Sequence, residues 1–349
     1  MRFRESLGSA RFQRAGFGIL PKRTFILDFV SDPGECPGKV RVSPEASAST
    51  LQACAPQTTV ATSYDVSNLR GMKQQRPQRS FSFLPINKRE SKPRKRGLTE
   101  IRGPYYSVIG PRYLEDLFET MGAYVDSLKF AGGAFTLMPE QAVQDIIELC
   151  HKHEVMVSTG GFVERVLVQG DDAVRKYVAH CKKLGFDIIE ISAGFVSIPT
   201  DDWLRLLELV RKSGLKAKPE VGIQFGAGGA SAGEELKAEG TRDPSWAIAQ
   251  AKRFLEAGAE IIMIESEGIT ENVDPWRTDA PAKFIDEIGI EKLMFEAADP
   301  EVFEWYIKNY GADVNLFVDH SQIVQLECLR AGIWGTKSLW GRVVSYKEE

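Results

Sequence analysis

The 349-residue chain lacks the marks of a membrane-spanning or disulfide-stabilised protein. No run of about 18 apolar residues occurs, so the sequence predicts no transmembrane helix. The five cysteines are odd in number and scattered, and no two of them have the Cys-x-x-Cys spacing. This argues against a disulfide framework and against a structural zinc site. The sequence therefore favours a globular protein of a reducing compartment.

Acidic residues are scarce at the N-terminus, and charge divides the chain into two parts. Residues 1–97 hold 18 of the 44 Lys and Arg but only 7 of the 48 Asp and Glu, which leaves 26 and 41 for residues 98–349. The formal net charge is therefore +11 for residues 1–97 and −15 for residues 98–349. The acidic body lacks the clustered cations that phosphate contacts need, so we expect no nucleic-acid partner.

Residues 1–97 also lack a sustained hydrophobic period and are rich in Ser, Pro, Gly, Gln and Arg. This composition predicts a disordered basic tail. Its first stretch, "MRFRESLGSARFQRAGFGILPKR", resembles an organelle transit segment, and a non-specific tail is the equal alternative. We therefore expect a cytoplasmic protein, or a chloroplast protein if residues 1–60 are a transit segment. The run "NKRESKPRKRG" (Asn87–Gly97) has no interleaved aromatics and favours a solvated linker over a nucleic-acid patch.

From Leu98 onward, short β-branched runs alternate with helical stretches. The predicted strands are "YYSVIG", "YVDSLKF", "VMVSTGG", "DIIEISAG", "LKAKPEVGI", "EIIMIES", "KLMFEA" and "VNLFVD". Several of the intervening helices open with Asp-Pro or Thr-Asp and close on Gly, as helix ends prefer. Eight strand-then-helix units in roughly 250 residues predict an α/β fold, a (β/α)8 TIM-type barrel over residues 98–349.

Acidic side chains end four successive predicted strands. They are Glu190, Glu220, Glu265 and Glu296. In a barrel of this type the carboxyl ends of the strands meet on one face, where active sites lie. Carboxylates that lie close together raise one another's pKa unless a cation or a proton lies between them. Four acids on one rim are therefore poorly explained as caps of strand ends alone. Oxygen ligands suit Mg²⁺, and Glu220, Glu265 and Glu296 are therefore the predicted metal ligands, with a metal-free rim as the alternative.

Three cationic candidates, Lys129, Lys218 and His320, complete the predicted site. Lys129 ends a strand, which favours anion binding or proton transfer over an ordinary surface lysine. His320 is the one histidine of four at a strand end and is either catalytic or a cap of the following helix. The predicted catalytic residues are Lys129, Glu190, Lys218, Glu220 and His320, and a small anionic substrate is their expected partner.

An ordered set of motifs carries a family resemblance. The stretches are "KPRKRGLTEIRGPYYSV", "VDSLKFAGGAFTLMP", "VSTGGFVERVL", "CKKLGFDIIEIS", "LKAKPEVG", "FLEAGAEIIMIE", "EKLMFEA" and "VNLFVDHSQIVQLECLR". From about Pro93 to Arg342 the chain resembles the phosphosulfolactate synthase family, and its plant branch of heat-stress-associated 32-kDa-type proteins most of all. The resemblance implies a barrel fold and, for the parent enzymes, a Mg²⁺-dependent addition of sulfite to phosphoenolpyruvate. For the plant branch it implies acquired thermotolerance together with an Hsp100-class chaperone. Because barrels of this type often associate, we also expect a homo-oligomer.

Several cations of the family pattern are missing in this chain. The family carries Asp-Lys-Gly after its first strand, where "VIGPR" places Ile109 and Gly110 here. Ile223 stands in place of a lysine, Glu267 in place of an arginine, and Gly132 in place of a tryptophan. Phosphoenolpyruvate and sulfite are both anions and need positive charge in the transition state. We therefore expect a heat-stress-associated protein without synthase activity, and the alternative is a Mg²⁺-dependent lyase acting on a phosphorylated or carboxylated small acid.

Overall fold

The computed structural model describes residues 79–228, 233–240, 243–297, 299–333 and 342–345. The predictions made for residues 1–78, including the transit segment, lie outside these described residues. Eight parallel strands pair in sequence order and close into one barrel, as the sequence predicted. Within the described residues, no helix is long and apolar enough to cross a membrane.

The barrel strands are short and lie in the order of the chain. They are β1 (Thr99–Arg102), β2 (Ser127–Lys129), β3 (Met156–Ser158), β4 (Ile188–Ile191), β5 (Lys216–Val221), β6 (Ile262–Ile264), β7 (Leu293–Glu296) and β8 (Leu316–Asp319). β1 closes the barrel by pairing with both β2 and β8. All eight carboxyl ends therefore meet at one mouth, as the barrel architecture requires.

Helices surround the barrel and bury one face each against it. They are α1 (Pro111–Met121), α2 (Glu140–Lys152), α3 (Val163–Leu167), α4 (Asp171–Leu184), α5 (Thr200–Lys212), α6 (Gly233–Glu239), α7 (Ser245–Glu256), α8 (Asp279–Ile288), α9 (Pro300–Tyr310) and α10 (Ile323–Arg330). α1 and α9 begin with proline, whose missing N–H costs nothing at a first helical position. α4 ends at Gly185, which has the left-handed φ of +99° that stops a helix.

The hydrophobic core lies mainly between the strands and the helices. Outward-facing strand residues such as Ile101 and Leu128 pack there with Trp203 of α5 and Phe254 of α7. The barrel interior is different. A small apolar cluster of Met263, Met294 and Phe317 shares it with buried charged side chains, whereas such interiors are usually filled by layers of branched apolar residues.

The first strand is the one strand that sequence reasoning misplaced. It was predicted at Tyr105–Gly110, where residues 105–108 are instead exposed beside the mouth, with Val108 fully exposed and Tyr106 71% exposed, and Ile109 is buried. The true β1, "TEIR", carries two charged residues that point into the barrel and find charged partners there. Propensity favours aromatic and β-branched residues in strands, and only these partners make the charged segment stable.

The stretch interpreted as a solvated linker instead contributes buried contacts to the amino-terminal end of the barrel. Arg94 is buried and its Nε lies 2.9 Å from Asp126 Oδ1. Arg89 pairs with the buried Glu327 of α10. Asn87 donates from Nδ2 to the carbonyls of Arg330 and Val343, at 3.0 and 2.8 Å. These cations are held by the barrel because acids from distant parts of the chain neutralise them.

Arg94→Ala is expected to destabilise the barrel, and Arg96→Ala is its matched control. Loss of Arg94 leaves the buried Asp126 without its cation, and breaking a buried ion pair from one side costs about 3–5 kcal/mol. Arg96 is largely exposed and lies 3.7 Å from the exposed Glu90, so its loss should cost about 0–1 kcal/mol. Urea unfolding of the two variants measures both effects, and equal midpoints would contradict a structural role for residues 87–97.

Candidate active site in the barrel mouth

Three acids from neighbouring strands meet in the mouth. Glu220 lies on β5, Glu296 ends β7, and Glu265 directly follows β6. All three are buried, and each offers one carboxylate oxygen within 4.8 Å of the other two. Their convergence follows from the closed parallel barrel, which brings successive strand ends to one height.

Their pKa values reflect this crowding. Burial, followed by the charge of Glu190, raises the pKa of Glu220 to about 8. Burial, followed by the charges of Glu296 and Glu220, raises the pKa of Glu265 well above its ordinary value. In both cases the site favours a neutral carboxyl group, as it must where like charges share a dry space. Either a proton or a bound cation can relieve this repulsion.

The donor set fits a hard divalent cation. Three carboxylate oxygens offer only hard ligands, and no cysteine or histidine belongs to the group. Glu220 and Glu265 have raised pKa values where like charges lie close together, and a bound cation would offset this repulsion. A cation held here by two acids could keep waters that the third acid orients. The buried acid triad Glu220, Glu265 and Glu296 can therefore hold a metal ion.

Below the triad, lysines and glutamates alternate through the barrel interior. Lys129 Nζ lies 3.0 Å from Glu190 Oε1 and 3.5 Å from Glu220 Oε2. Lys218 Nζ lies 3.0 Å from the other oxygen of Glu190 and also pairs with Glu100 of β1. All five side chains are buried. Each lysine is thus held between two carboxylates, an arrangement that buried charges require.

The ion pairs fix which of these groups are charged. Burial opposes ionisation of Glu190, but Lys129 and Lys218 outweigh burial and hold its pKa below the ordinary value. Burial would likewise lower the pKa of Lys129, but Glu190 and Glu220 raise it well above the ordinary value. Glu190 is therefore an anion and Lys129 a cation, beside a Glu220 that binds a proton or a metal.

Arg102 is a functional-site residue that sequence reasoning missed. It ends β1, and its guanidinium lies 3.3 Å from Glu296 and 3.8 Å from Asp319. The same group lies 5.1 Å from the centre of the Phe317 ring and 5.0 Å from that of Tyr106. The first strand end therefore does carry a cation, contrary to the expectation drawn from Ile109 and Gly110. The alternation of charged and apolar residues in "TEIR" was the signal that could have revealed it.

Two other buried acids hold loops of the mouth in place. Glu164 accepts hydrogen bonds from the Ser192 hydroxyl and from the backbone N–H groups of Phe195 and Val196, the last two at 2.7 and 2.9 Å. Glu267 accepts from the Gly228 N–H at 2.9 Å and from the Asn272 amide at 3.0 Å. Both carboxylates accept hydrogen bonds from backbone and side-chain donors of these loops and so hold the loops in place, and Glu164 also lines the cavity above the triad.

His320 and Lys218 lie apart from the ligand-accessible part of the site. His320 follows β8, and its Nδ1 lies 2.7 Å from the Tyr113 hydroxyl, while burial lowers its pKa. Lys218 lies deeper, beside Glu100. The other lysine of β5, Lys216, begins the strand and pairs with Glu260 at the opposite end of the barrel.

A cavity of about 480 Å³ opens above the triad, a volume typical of small-molecule sites. Lys129, Glu190 and the triad line it on one side. Tyr105, Tyr106, Phe162 and Phe195 form aromatic walls, and neither Lys218 nor His320 lines it among the described residues. The site therefore combines an acidic floor, whose triad could hold a cation, with mostly apolar walls.

Gly132 explains how one aromatic wall is built. Its φ is +59°, and a Cβ at this position would lie 2.3 Å from the Tyr105 ring. A larger residue would therefore collide with Tyr105, besides adopting a backbone conformation that favours glycine. The Tyr105 ring thus occupies the space where a side chain at position 132 would lie.

Comparison with known proteins identifies the family to which the chain belongs. The model of the (2R)-phospho-3-sulfolactate synthase (ComA) family matches residues 87–336. Protein HEAT-STRESS-ASSOCIATED 32 of Arabidopsis thaliana is 44% identical over 71% of this chain and 91% of its own length. Phosphosulfolactate synthase of Methanothermobacter thermautotrophicus is 27% identical over 73% and 96%, and that of Methanocaldococcus jannaschii is 24% identical over 65% and 89%. The chain belongs to the phosphosulfolactate synthase family.

Proposed function

We propose that this chain is a heat-stress-associated member of its family that binds Mg²⁺ and a small anionic ligand in the barrel mouth but does not carry out the parent synthase reaction. Its 44% identity to the Arabidopsis heat-stress protein, over nearly all of that protein, supports the physiological part. The acid triad and the cavity above it support the binding part.

The proposed absence of synthase activity is supported by one observation: the interior cations are already paired with carboxylates. Lys129 and Lys218 are each held between two glutamates, and Arg102 is held between Glu296 and Asp319. Joining phosphoenolpyruvate to sulfite requires two anions to approach each other, with free positive charge to stabilise them. Cations already neutralised by protein carboxylates supply little of that stabilisation.

A Mg²⁺-dependent lyase is the second candidate, because Lys129 lies against the triad. A cation held by Glu220, Glu265 and Glu296 would act as a Lewis acid toward a ligand oxygen. The Lys129 ammonium, 3.5 Å from Glu220, could donate a proton or a hydrogen bond to the same ligand. Phosphorylated or carboxylated small acids are the substrates that this arrangement would accept.

Incubation with phosphoenolpyruvate, sulfite and Mg²⁺ distinguishes the two candidates. We expect turnover at least about 10²-fold below that of the Methanothermobacter enzyme assayed in parallel. Ile223 and Glu267 replace two cations of the family pattern, and the loss of two charge-assisted contacts raises the barrier by several kcal/mol. Phosphosulfolactate formation at a rate within tenfold of that enzyme would contradict the proposal and establish the lyase.

The heat-stress role can be tested separately from the chemistry. In Arabidopsis lacking its heat-stress-associated relative, this chain should restore survival of a second heat treatment. An Hsp100-class chaperone is the proposed functional partner, so its abundance during recovery is the molecular measurement to follow. Failure of the chain to restore survival when expressed at the relative's level would remove the physiological part of the proposal.

A further inference from the structure

Arg165 differs from the other cations of the mouth in its surroundings. It lies on α3, is exposed, and lines the cavity. The preceding residue, Glu164, is buried and anchored by the Ser192 hydroxyl and by three backbone N–H groups of residues 194–196. α3 is therefore tied to the loop after β4, which holds the backbone of Arg165 beside the cavity.

The charges around the cavity leave Arg165 free to bind an anion. Three cations line the cavity, and the two others are already paired, Arg102 with Glu296 and Asp319, and Lys129 with Glu190 and Glu220. Arg165 has no acidic partner within the described part of the chain. Phe162, Val168 and Phe195 line the same cavity. Glu164 also lines it, but its carboxylate already accepts hydrogen bonds from the Ser192 hydroxyl and from backbone N–H groups of residues 194–196.

We propose that Arg165 binds the second anionic group of a two-headed ligand. One end of the ligand provides oxygen donors to the cation on the acid triad, and the other presents a phosphate, sulfonate or carboxylate to Arg165. The aromatic walls between these two points contact the uncharged part of the ligand. This assignment rests on the proposed metal and anion binding, and it adds the residue that selects for a second anionic group.

The chemistry of arginine suits this role. A guanidinium presents paired N–H donors that match the oxygens of a phosphate or carboxylate, and its charge persists at all accessible pH values. Charge-assisted hydrogen bonds of this kind contribute about 10- to 100-fold in affinity. Lysine offers one point charge without the paired geometry, so Arg165→Lys should retain part of the binding and Arg165→Ala almost none of this contribution.

The test compares two probes by calorimetry in the presence of saturating Mg²⁺. Phosphoenolpyruvate carries a metal-binding carboxylate and a phosphate, whereas pyruvate lacks the phosphate. We expect Arg165→Ala to weaken phosphoenolpyruvate binding about 10- to 100-fold, with pyruvate binding and the Mg²⁺-induced rise in melting temperature unchanged. Arg175→Ala is the control, because Arg175 is an exposed arginine paired with Asp171 on α4 and lies outside the cavity wall.

The outcomes separate this inference from the proposal on which it rests. A wild-type protein that ignores Mg²⁺ contradicts the metal site itself. The role of Arg165 is overturned if the wild type responds to Mg²⁺ but binds phosphoenolpyruvate no more tightly than pyruvate. It is also overturned if the Arg165→Ala variant binds phosphoenolpyruvate as tightly as the wild type does. An equal loss of affinity for both probes assigns Arg165 to the fold of the mouth and overturns the role as well.

Discussion

Glu190→Gln is expected to lower the free energy of unfolding by about 3–5 kcal/mol, the cost of breaking a buried ion pair from one side. The glutamine side chain has nearly the same shape, so packing is preserved and only the charge is lost. That charge holds both Lys129 and Lys218, each at 3.0 Å. Without it, two buried ammonium groups each keep a single carboxylate partner, and burial then opposes their charge.

Urea unfolding followed by circular dichroism measures this loss. The control is Glu208→Gln, because Glu208 is exposed on α5 and pairs only with the exposed Lys212. Surface changes of this type usually have little effect on stability. If the two variants unfold at the same urea concentration, the interior ion pairs do not contribute to stability as argued, and Lys129 and Lys218 must then be satisfied in another way.

In the absence of metal, Glu220→Gln is expected to raise the free energy of unfolding, which is the opposite of the effect of Glu190→Gln. The folded protein raises the pKa of Glu220 to about 8, from the ordinary value of 4.5. Between these pH values the folded state keeps a proton that the unfolded chain releases. The stabilising contribution of the neutral carboxyl group is thus complete below pH 4.5 and is lost as pH rises toward 8, by up to about 1.4 kcal/mol per pH unit. Glutamine stays neutral, so the variant should be more stable than the wild type by a few kcal/mol at pH 8 and equal to it near pH 4.5.

With Mg²⁺ bound, the wild type should become more stable than the Glu220→Gln variant. A cation that binds only the folded triad stabilises the wild type by an amount that grows with its free concentration. Glu220→Gln and Glu265→Gln each remove one charged ligand, so both should lose most of that response. Thermal melts at pH 8 with Mg²⁺ and with chelator measure it, again with Glu208→Gln as the control. A wild-type curve that ignores Mg²⁺, together with Gln variants that melt earlier in both conditions, would make these acids structural hydrogen-bond acceptors.

Much of the fold was predictable because it rests on local signals. Strand runs such as "DIIEI" and "KLMFEA" are short, β-branched or apolar, and separated by helices with recognisable ends. The eightfold repetition of that unit was enough to predict the barrel, and the barrel alone placed Glu220, Glu265 and Glu296 on one rim. The segment "TEIR" was missed because its local pattern is polar, and its burial depends on partners elsewhere in the chain.

The sequence by itself determined the barrel, the family and the ring of acids, because strand order and residue type dictate which side chains reach the mouth. Only the tertiary structure decided which charges neutralise which. Lys218 meets Glu100 across 118 residues, and Lys129 meets Glu220 across 91. No local pattern encodes such pairs, since they arise when the closure of the barrel places β1 and β2 opposite β5. The same closure leaves Arg165 beside the cavity with no acidic partner among the described residues, which is why its proposed role could be inferred only from the folded protein.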